Sequence, residues 1–133
     1  MIAISKKSYD EMIAWSKKGF PNEACGLLAA DVTGQAAVFF PMTNVDEAAI
    51  SYFMDPKEQL KIFKEMRQRN LELCGIFHSH VASEAYPSQK DVRLAFYEEA
   101  SYLIASLSDM KKPVLRSFKI KDEKVQEEEI KIV

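Results

Sequence analysis

The sequence has no apolar stretch long enough to cross a membrane and no excess of basic residues. A membrane helix needs about 20 consecutive apolar residues, and positions 1–20 also lack the unbroken apolar core of a secretory signal peptide. The formal net charge of −2 offers no electrostatic footprint for nucleic acid or an anionic membrane. We therefore expect a cytoplasmic protein that binds neither nucleic acid nor membranes.

Cysteine and glycine are also scarce, with two and four residues respectively. The two cysteines, Cys25 and Cys74, are too few for a disulfide framework and are expected to be free thiols. No repeat, low-complexity tract or Pro/Gly-rich linker interrupts the chain. With 133 residues, of which 47% are hydrophobic and 29% charged, the composition is that of an ordinary globular protein. We predict a single domain over residues 1–133.

Hydrophobic periodicity and turn-forming residues predict helices that alternate with strands. A first helix ends before Phe20, with Ser8 and Glu11 as a capping box, a second spans about 56–70, and a third runs from 88 to about 97. Strands are predicted over 26–30, 36–41, 50–54, 73–80, 102–107, 114–120 and 125–132. The carboxylates of the last strand are expected to form a solvated edge. This order of elements predicts an α/β (α+β mixed) fold in which helices pack on a mixed sheet.

The only two histidines, His78 and His80, lie one residue apart at the end of the predicted strand 73–80. Side chains at positions i and i+2 of a strand leave the same face, so the two imidazoles project together. Such a pair can bind a transition metal, with zinc the first candidate. Asp91, on the first turn of the next predicted helix, could supply a third ligand. Three protein ligands leave one position of a tetrahedral zinc ion open, as catalysis requires.

Glu23 is a candidate general base for a water molecule at such a site. It follows Pro21 and Asn22 at the junction between the first helix and the apolar segment 24–30. A carboxylate in this place is expected to be half-buried. Burial raises the pKa of a carboxylic acid towards the range in which it works as a base near neutral pH.

Each of these features also has a purely structural explanation. A His-x-His pair occurs often by chance, and both rings could be ordinary surface or core histidines. Ser88 and Asp91 have the spacing of a helix start, with serine as the N-cap and an acidic residue on the first turn. Glu23 could be a capping or solvated carboxylate. These explanations do not account for the common order and spacing of the features.

The candidate residues together resemble a known motif. Glu23, a His-Ser-His sequence at 78–80, seven further residues, Ser88, two residues and Asp91 resemble the JAMM motif of MPN-domain (JAB-like) metalloproteases. The segment Asn-Glu-Ala-Cys-Gly-Leu-Leu around Glu23 is similar to the glutamate segment of the minimal prokaryotic members. The order of predicted elements is also similar to that family's fold, so the resemblance covers nearly the whole chain.

The resemblance implies a curved mixed sheet flanked by helices and one zinc ion held by His78, His80 and Asp91. It implies that Glu23 takes a proton from the attacking water and delivers it to the leaving amine, and that Ser88 stabilises the oxyanion. The implied activity is that of a zinc metalloprotease or isopeptidase. For small members, the implied substrate is a ubiquitin-like or sulfur-carrier protein, cleaved after its C-terminal Gly-Gly to release, for example, cysteine.

The chain departs from the family's pattern at Val81, where proline usually follows the second histidine. Proline is not a ligand, so this change affects the expected path and rigidity of the loop 81–87 rather than the chemistry. The chain also lacks the long insertions with which eukaryotic members grip ubiquitin. The alternative is a non-catalytic MPN scaffold that binds a protein partner, although scaffolds usually lose ligands that this chain keeps. The His-x-Glu and Pro-Cys-x-x-Cys elements of zinc deaminases are absent.

Overall fold

The computed structural model describes residues 1–36 and 38–133. The helices are α1 (Lys6–Gly19), α2 (Pro56–Gln68) and α3 (Gln89–Arg93). The strands are β1 (Ile2–Ile4), β2 (Cys25–Ala30), β3 (Ala36–Met42), β4 (Glu72–His80), β5 (Ser101–Ser106), β6 (Val114–Lys121), β7 (Lys124–Glu128) and β8 (Ile130–Ile132). In the part of the chain that the structure describes, no helix is long and apolar enough to cross a membrane.

The strands form one mixed sheet of eight strands in the order β7-β6-β5-β4-β2-β3-β1-β8. β4 lies at the centre, antiparallel to β2 and parallel to β5. Neighbouring residues of β2 pack on opposite faces of the sheet, because side chains alternate along a strand. Leu27 packs in a cluster with Ile62 and Met66 of α2, and Leu28 in a cluster with Met12 of α1. The predicted fold class, a mixed sheet flanked by helices, is therefore confirmed.

The last strand closes the sheet. A single residue, Glu129, separates β7 at one edge from β8 at the other. One residue spans only a few ångströms, so the sheet must curl until its two edges approach each other. Glu128, the last residue of β7, accepts hydrogen bonds from Ser101 Oγ at 2.5 Å and Ser117 Oγ at 2.9 Å. The predicted solvated edge over 125–132 is therefore wrong at Glu128, whose carboxylate joins β7 to β5 and β6.

The predicted strand over 50–54 does not form. Among the described residues, its single ladder contact is an isolated bridge between Asn44 and Met54. The side chain of Asn44 instead donates to Ser51 O at 3.0 Å and accepts from Phe53 N at 3.0 Å. A carboxamide offers both a donor and an acceptor, so this apolar segment satisfies backbone groups without a neighbouring strand.

The start of the chain also differs from its prediction. α1 begins at Lys6, and its N-cap is Ser5, whose Oγ accepts a hydrogen bond from Ser8 N at 3.1 Å. The predicted capping box of Ser8 and Glu11 is therefore wrong, since both residues lie inside the helix. The preceding strand β1 was not predicted, because three residues are too few to show a periodic pattern.

The third helix ends at Arg93 rather than near residue 97. Beyond it, Tyr97 N donates a hydrogen bond to the hydroxyl of Tyr102 at 2.9 Å. This contact turns the chain towards β5, which begins at Ser101. The predicted end near residue 97 is therefore about four residues too late.

Gly26 of β2 and Gly75 of β4 differ in the atoms that an added side chain would meet, and substitution by alanine tests this difference. A Cβ on Gly26 would press on the ring of Phe39 and lie 2.8 Å from the carbonyl oxygen of Phe40, whereas a Cβ on Gly75 would lie 2.8 Å from a terminal methyl group of Leu103. We expect Gly26→Ala to lower the free energy of unfolding by about 2–3 kcal/mol, and Gly75→Ala by less, because a methyl group can rotate away and a backbone carbonyl cannot. Urea denaturation of both variants measures this. Equal losses would contradict the expected close approach at Gly26.

Candidate metal centre

β4 brings His78 and His80 together at its carboxyl end. The two side chains leave the same face of the strand, and they are only 2% and 6% exposed. Their Nε2 atoms lie 3.1 Å apart. The histidine pair predicted from the sequence therefore converges on one point.

Asp91 meets this pair from the first turn of α3. Its Oδ2 lies 3.1 Å from the Nε2 atom of each histidine, His78 and His80. The same oxygen accepts a hydrogen bond from Ser88 N at 2.8 Å, and Ser88 Oγ accepts one from Asp91 N at 3.1 Å. These two bonds form a capping box. The capping and ligand explanations of Asp91 are therefore compatible, because one carboxylate can serve both.

The three converging atoms fit a metal ion of the zinc type. They form a triangle with 3.1 Å edges, and ligands at a tetrahedral zinc ion with bonds of about 2.0–2.1 Å lie about 3.3 Å apart. His80 Nδ1 lies 2.9 Å from the carbonyl oxygen of Glu84. Because a carbonyl only accepts, Nδ1 carries the hydrogen, and the neutral ring presents the Nε2 lone pair to the centre. His78, His80 and Asp91 are thus suited to hold a metal ion.

Without a metal ion, the three groups partly neutralise one another. Burial acts to raise the pKa of Asp91, but hydrogen bonds from the two histidines outweigh it and hold the pKa well below its usual range. Burial disfavours the charged form of His80, yet its contacts with Asp91 and the Glu84 carbonyl raise its pKa. Burial lowers the pKa of His78. The half-buried carboxylate of Asp91 thus favours the protonated form of His80, whereas burial favours the neutral form of His78.

Tyr52 covers the ring of His78. The two rings are stacked, with centroids 4.7 Å apart and an angle of 22° between their planes. Nδ1 of His78 is buried and has no hydrogen-bond partner, so the ring is positioned by its Nε2 contact with Asp91 and by packing against Tyr52. The sequence did not predict this contact, because Tyr52 lies in the segment expected to be a strand and 26 positions before His78.

Glu23 lies where the sequence predicts it, between α1 and β2. The residue is 7% exposed, so it is more deeply buried than the half-buried position predicted from the sequence. Burial raises the pKa of Glu23 to about 7, an effect that the charge of His80 partly offsets and that of Asp91 reinforces. A carboxyl group with this pKa can accept and release a proton near neutral pH.

Ser79, between the two histidines, anchors the backbone next to Glu23. Ser79 Oγ accepts a hydrogen bond from Ala24 N at 2.8 Å, and Ser79 N donates one to Ala24 O at 2.9 Å. From the sequence, Ser79 is only the middle residue of the His-Ser-His motif. Its side chain is fully buried in the structure, and a buried hydroxyl requires a hydrogen-bond partner, which the backbone of Ala24 supplies.

A cavity of about 330 Å³ lies between the candidate base and the candidate metal ligands. Glu23, His80 and Ser88 line it together with four apolar side chains, Ala49, Ile50, Val81 and Ala82, and with Ser83. Ser88 Oγ is used as an acceptor by Asp91 N, so its hydroxyl hydrogen remains able to donate into the cavity. A larger cavity of about 630 Å³ beside α2 contains none of the predicted site residues.

The chain is similar to a family of known proteins. Residues 5–121 match the family model described as prokaryotic homologs of the JAB domain. The CysO-cysteine peptidase of Mycobacterium tuberculosis is 36% identical over 134 aligned residues, which cover 100% of this chain and 92% of that protein. A probable TtuB-protein conjugate cleaving protease of Thermus thermophilus is 33% identical over 76 residues, which cover 56% of this chain and 50% of that protein.

A solved structure has the same architecture. The solution structure of protein DSY2949 from Desulfitobacterium hafniense superposes with a TM-score of 0.89 and is 44% identical. The alignment covers 100% of this chain and 93% of that one. The fold of the chain over its whole length is therefore similar to that of DSY2949.

Paired substitutions at Asp91 and Ser88 separate metal binding from helix capping. Each removes one half of the capping box, so each should lower the stability of the metal-free protein by about 1 kcal/mol. Only Asp91→Ala also removes a ligand, and it should weaken zinc binding by more than the roughly 10–100-fold typical of losing a supporting residue. Calorimetric zinc titration of both variants is the measurement. Equal zinc affinity in Asp91→Ala and Ser88→Ala would show that Asp91 is a cap only.

The raised pKa of Glu23 predicts how the stability of the metal-free protein depends on pH. The folded state raises this pKa from 4.5 to about 7, so folding favours the protonated form, and the stability associated with Glu23 is lost as pH rises between these values. Glu23→Gln should match the parent near pH 5 and exceed it at pH 8, on the order of 1–2 kcal/mol, with partial solvation reducing the full effect. Urea denaturation in the presence of a chelator tests this. Parallel stability curves from pH 5 to pH 8 would contradict the raised pKa.

Proposed function

The chain belongs to the prokaryotic homologues of the JAB domain, and we propose that it is a zinc-dependent peptidase or isopeptidase. Its proposed substrates are conjugates of a ubiquitin-like or sulfur-carrier protein, cleaved after the C-terminal Gly-Gly. We propose that residues 1–133 act as one domain, because β8 near the end of the chain pairs with β1 at its start.

One observation carries the proposal. Three potential metal ligands converge within hydrogen-bond distance of one another, and a buried carboxyl group with a pKa of about 7 lines the same cavity. A structural metal site needs no such base. A hydrolytic site needs both a metal and a group that accepts a proton near neutral pH.

In this proposal, His78, His80 and Asp91 hold the zinc ion through Nε2, Nε2 and Oδ2. A zinc ion there would supply a Lewis acid that polarises the scissile carbonyl and lowers the pKa of water to about 7. The hydrogen bond from His80 Nδ1 to Glu84 O fixes the orientation of that ring. Tyr52 does the same for His78 by stacking.

Glu23 and Ser88 perform the remaining steps. The carboxylate of Glu23 accepts a proton from the water that attacks the scissile carbonyl, and it delivers this proton to the amine nitrogen as the C–N bond breaks. Ser88 donates its hydroxyl hydrogen to the developing oxyanion, a contact of a kind worth about 3 kcal/mol. The hydrogen bond that Ser88 Oγ receives from Asp91 N holds the hydroxyl oxygen in place for this role.

The dimensions of the cavity support a Gly-Gly tail. At about 330 Å³ it is near the lower limit for ligand sites, and small apolar side chains form much of its wall. A glycine pair has no side chains to accommodate and can enter a narrow cleft in an extended form. The relatives named for acting on CysO-cysteine and on TtuB-protein conjugates support the carrier class.

Glu23→Gln tests the proposed chemistry. The substitution preserves the size of the side chain but removes its ability to accept a proton near neutral pH. Zinc content should stay at about one ion per chain, while hydrolysis of a carrier conjugate should fall by about 10²-fold or more. Mass spectrometry of the released carrier, together with metal analysis, measures both quantities.

Glu98→Gln, which makes the same chemical change at an exposed carboxylate, is the matched control and should retain parental activity. A chelator should abolish parental hydrolysis, and added zinc should restore it. A zinc-loaded parent that binds carriers but cleaves no conjugate would favour the non-catalytic scaffold. Parental turnover in Glu23→Gln would remove Glu23 from the mechanism.

A further inference from the structure

Asn44, two residues after the end of β3, uses the full hydrogen-bonding capacity of its side chain. Nδ2 donates to Glu23 O at 2.9 Å and to Ser51 O at 3.0 Å. Oδ1 accepts from Asp46 N at 3.1 Å and from Phe53 N at 3.0 Å. A carboxamide has two N–H donors and two acceptor positions, so all of them are occupied.

The loop 45–53, which Asn44 holds in place, also holds the backbone of Glu23. Glu23 N donates to Ala48 O at 2.8 Å, while Glu23 O accepts from Asn44. Glu23 lies outside the helices and strands, so no regular ladder fixes it. Both of its backbone polar groups therefore depend on Asn44 and its loop.

The same loop reaches the rest of the candidate centre. It carries Tyr52, whose ring stacks on His78, and its residues Ala49 and Ile50 line the cavity that Glu23 shares with His80. A shift of this loop would therefore move the candidate base relative to the metal ligands. Asn44 thus links the position of the candidate base, Glu23, to that of the candidate metal ligands.

We propose that Asn44 is a positioning residue for the hydrolytic reaction, acting through Glu23 by tying the loop 45–53 to the Glu23 backbone. This inference rests on the proposed function, because it assigns Asn44 a role in the same reaction. Misplacing a catalytic group by about 1 Å can cost about 10²-fold in rate. Loss of the Asn44 amide removes one donor to Glu23 O and one to Ser51 O in the loop, so turnover is expected to fall strongly.

The neighbouring residue Thr43 provides a matched control. Its hydroxyl donates to Glu58 Oε2 at 2.9 Å, and its backbone N donates to Glu58 Oε1 at 2.7 Å. Thr43→Val removes one side-chain hydrogen bond directed to α2 and leaves the loop 45–53 attached. It should lower stability slightly and leave turnover unchanged.

The first test is a double-mutant cycle on hydrolysis. Asn44→Ala should keep its zinc and lower kcat by about 10-fold or more. In the Glu23→Gln background the same substitution should cost less than about 2-fold, because residues that act as a unit have non-additive effects. Equal losses in both backgrounds would overturn the inference, because Asn44 would then act independently of Glu23.

The second test, hydrogen exchange of backbone amides, requires no substrate. Asn44→Ala should speed exchange at Glu23, Asp46 and Phe53 and leave the amides of β4 protected. Asn44→Asp keeps the acceptor side but turns a carboxylate oxygen towards two carbonyls. Asn44→Asp should therefore speed exchange at Glu23 and leave Asp46 and Phe53 protected. If Asn44→Ala does not fold, Asn44→Asp replaces it in both tests.

The two tests separate the possible failures. Unchanged exchange at Glu23 in both variants would overturn the inference whatever the activity. Faster exchange at Glu23 in a chain whose zinc-loaded parent hydrolyses no conjugate would support the attachment of the loop through Asn44, but it would overturn the proposed function and, with it, the role of Asn44 in hydrolysis. Faster exchange combined with a non-additive cycle supports both.

Discussion

The pairing of β2 with β4 is the contact on which the candidate centre depends. The two strands are antiparallel, with Cys25 opposite His78. Where the ladder ends, Ser79 holds Ala24 by two hydrogen bonds across 55 positions of sequence. This register places Glu23 beside the histidines. A slip of one residue would turn the side chains of β4 to the opposite face, so the chemistry of the site depends on the hydrophobic pattern that fixes the pairing.

Several polar groups in the centre have both a structural and a chemical role. Asp91 Oδ2 accepts the capping bond of α3 and faces both imidazoles. Ser88 completes the cap through Oγ while its hydroxyl hydrogen stays available. This double use has a physical basis, because burying a polar atom without a hydrogen bond costs free energy of folding. Residues that hold the fold together at this place are therefore also held in the orientation that the proposed reaction requires.

The loop 45–53 shows how an irregular segment can be well defined. Its backbone groups are bonded by the side chain of Asn44, by Glu23 N and by the bond from Val45 N to Phe53 O, rather than by a strand ladder. Such a loop can follow the shape of a site more closely than a regular element. The stacking of Tyr52 on His78 is a consequence, because the loop brings an aromatic ring over an imidazole that has no hydrogen-bond partner at Nδ1.

The sequence by itself determined those features that depend on local rules. The spacing of His78 and His80 placed both rings on one face of a strand, and the Ser88–Asp91 spacing predicted the helix start that supplies the third candidate ligand. Only the tertiary structure decided that 50–54 is a loop and that 125–132, predicted as one strand, divides at Glu129 into β7 and β8 at opposite edges of the sheet. In both cases the outcome depends on which distant donors and acceptors meet the backbone, and that is settled when the sheet assembles rather than by the segment's own residues.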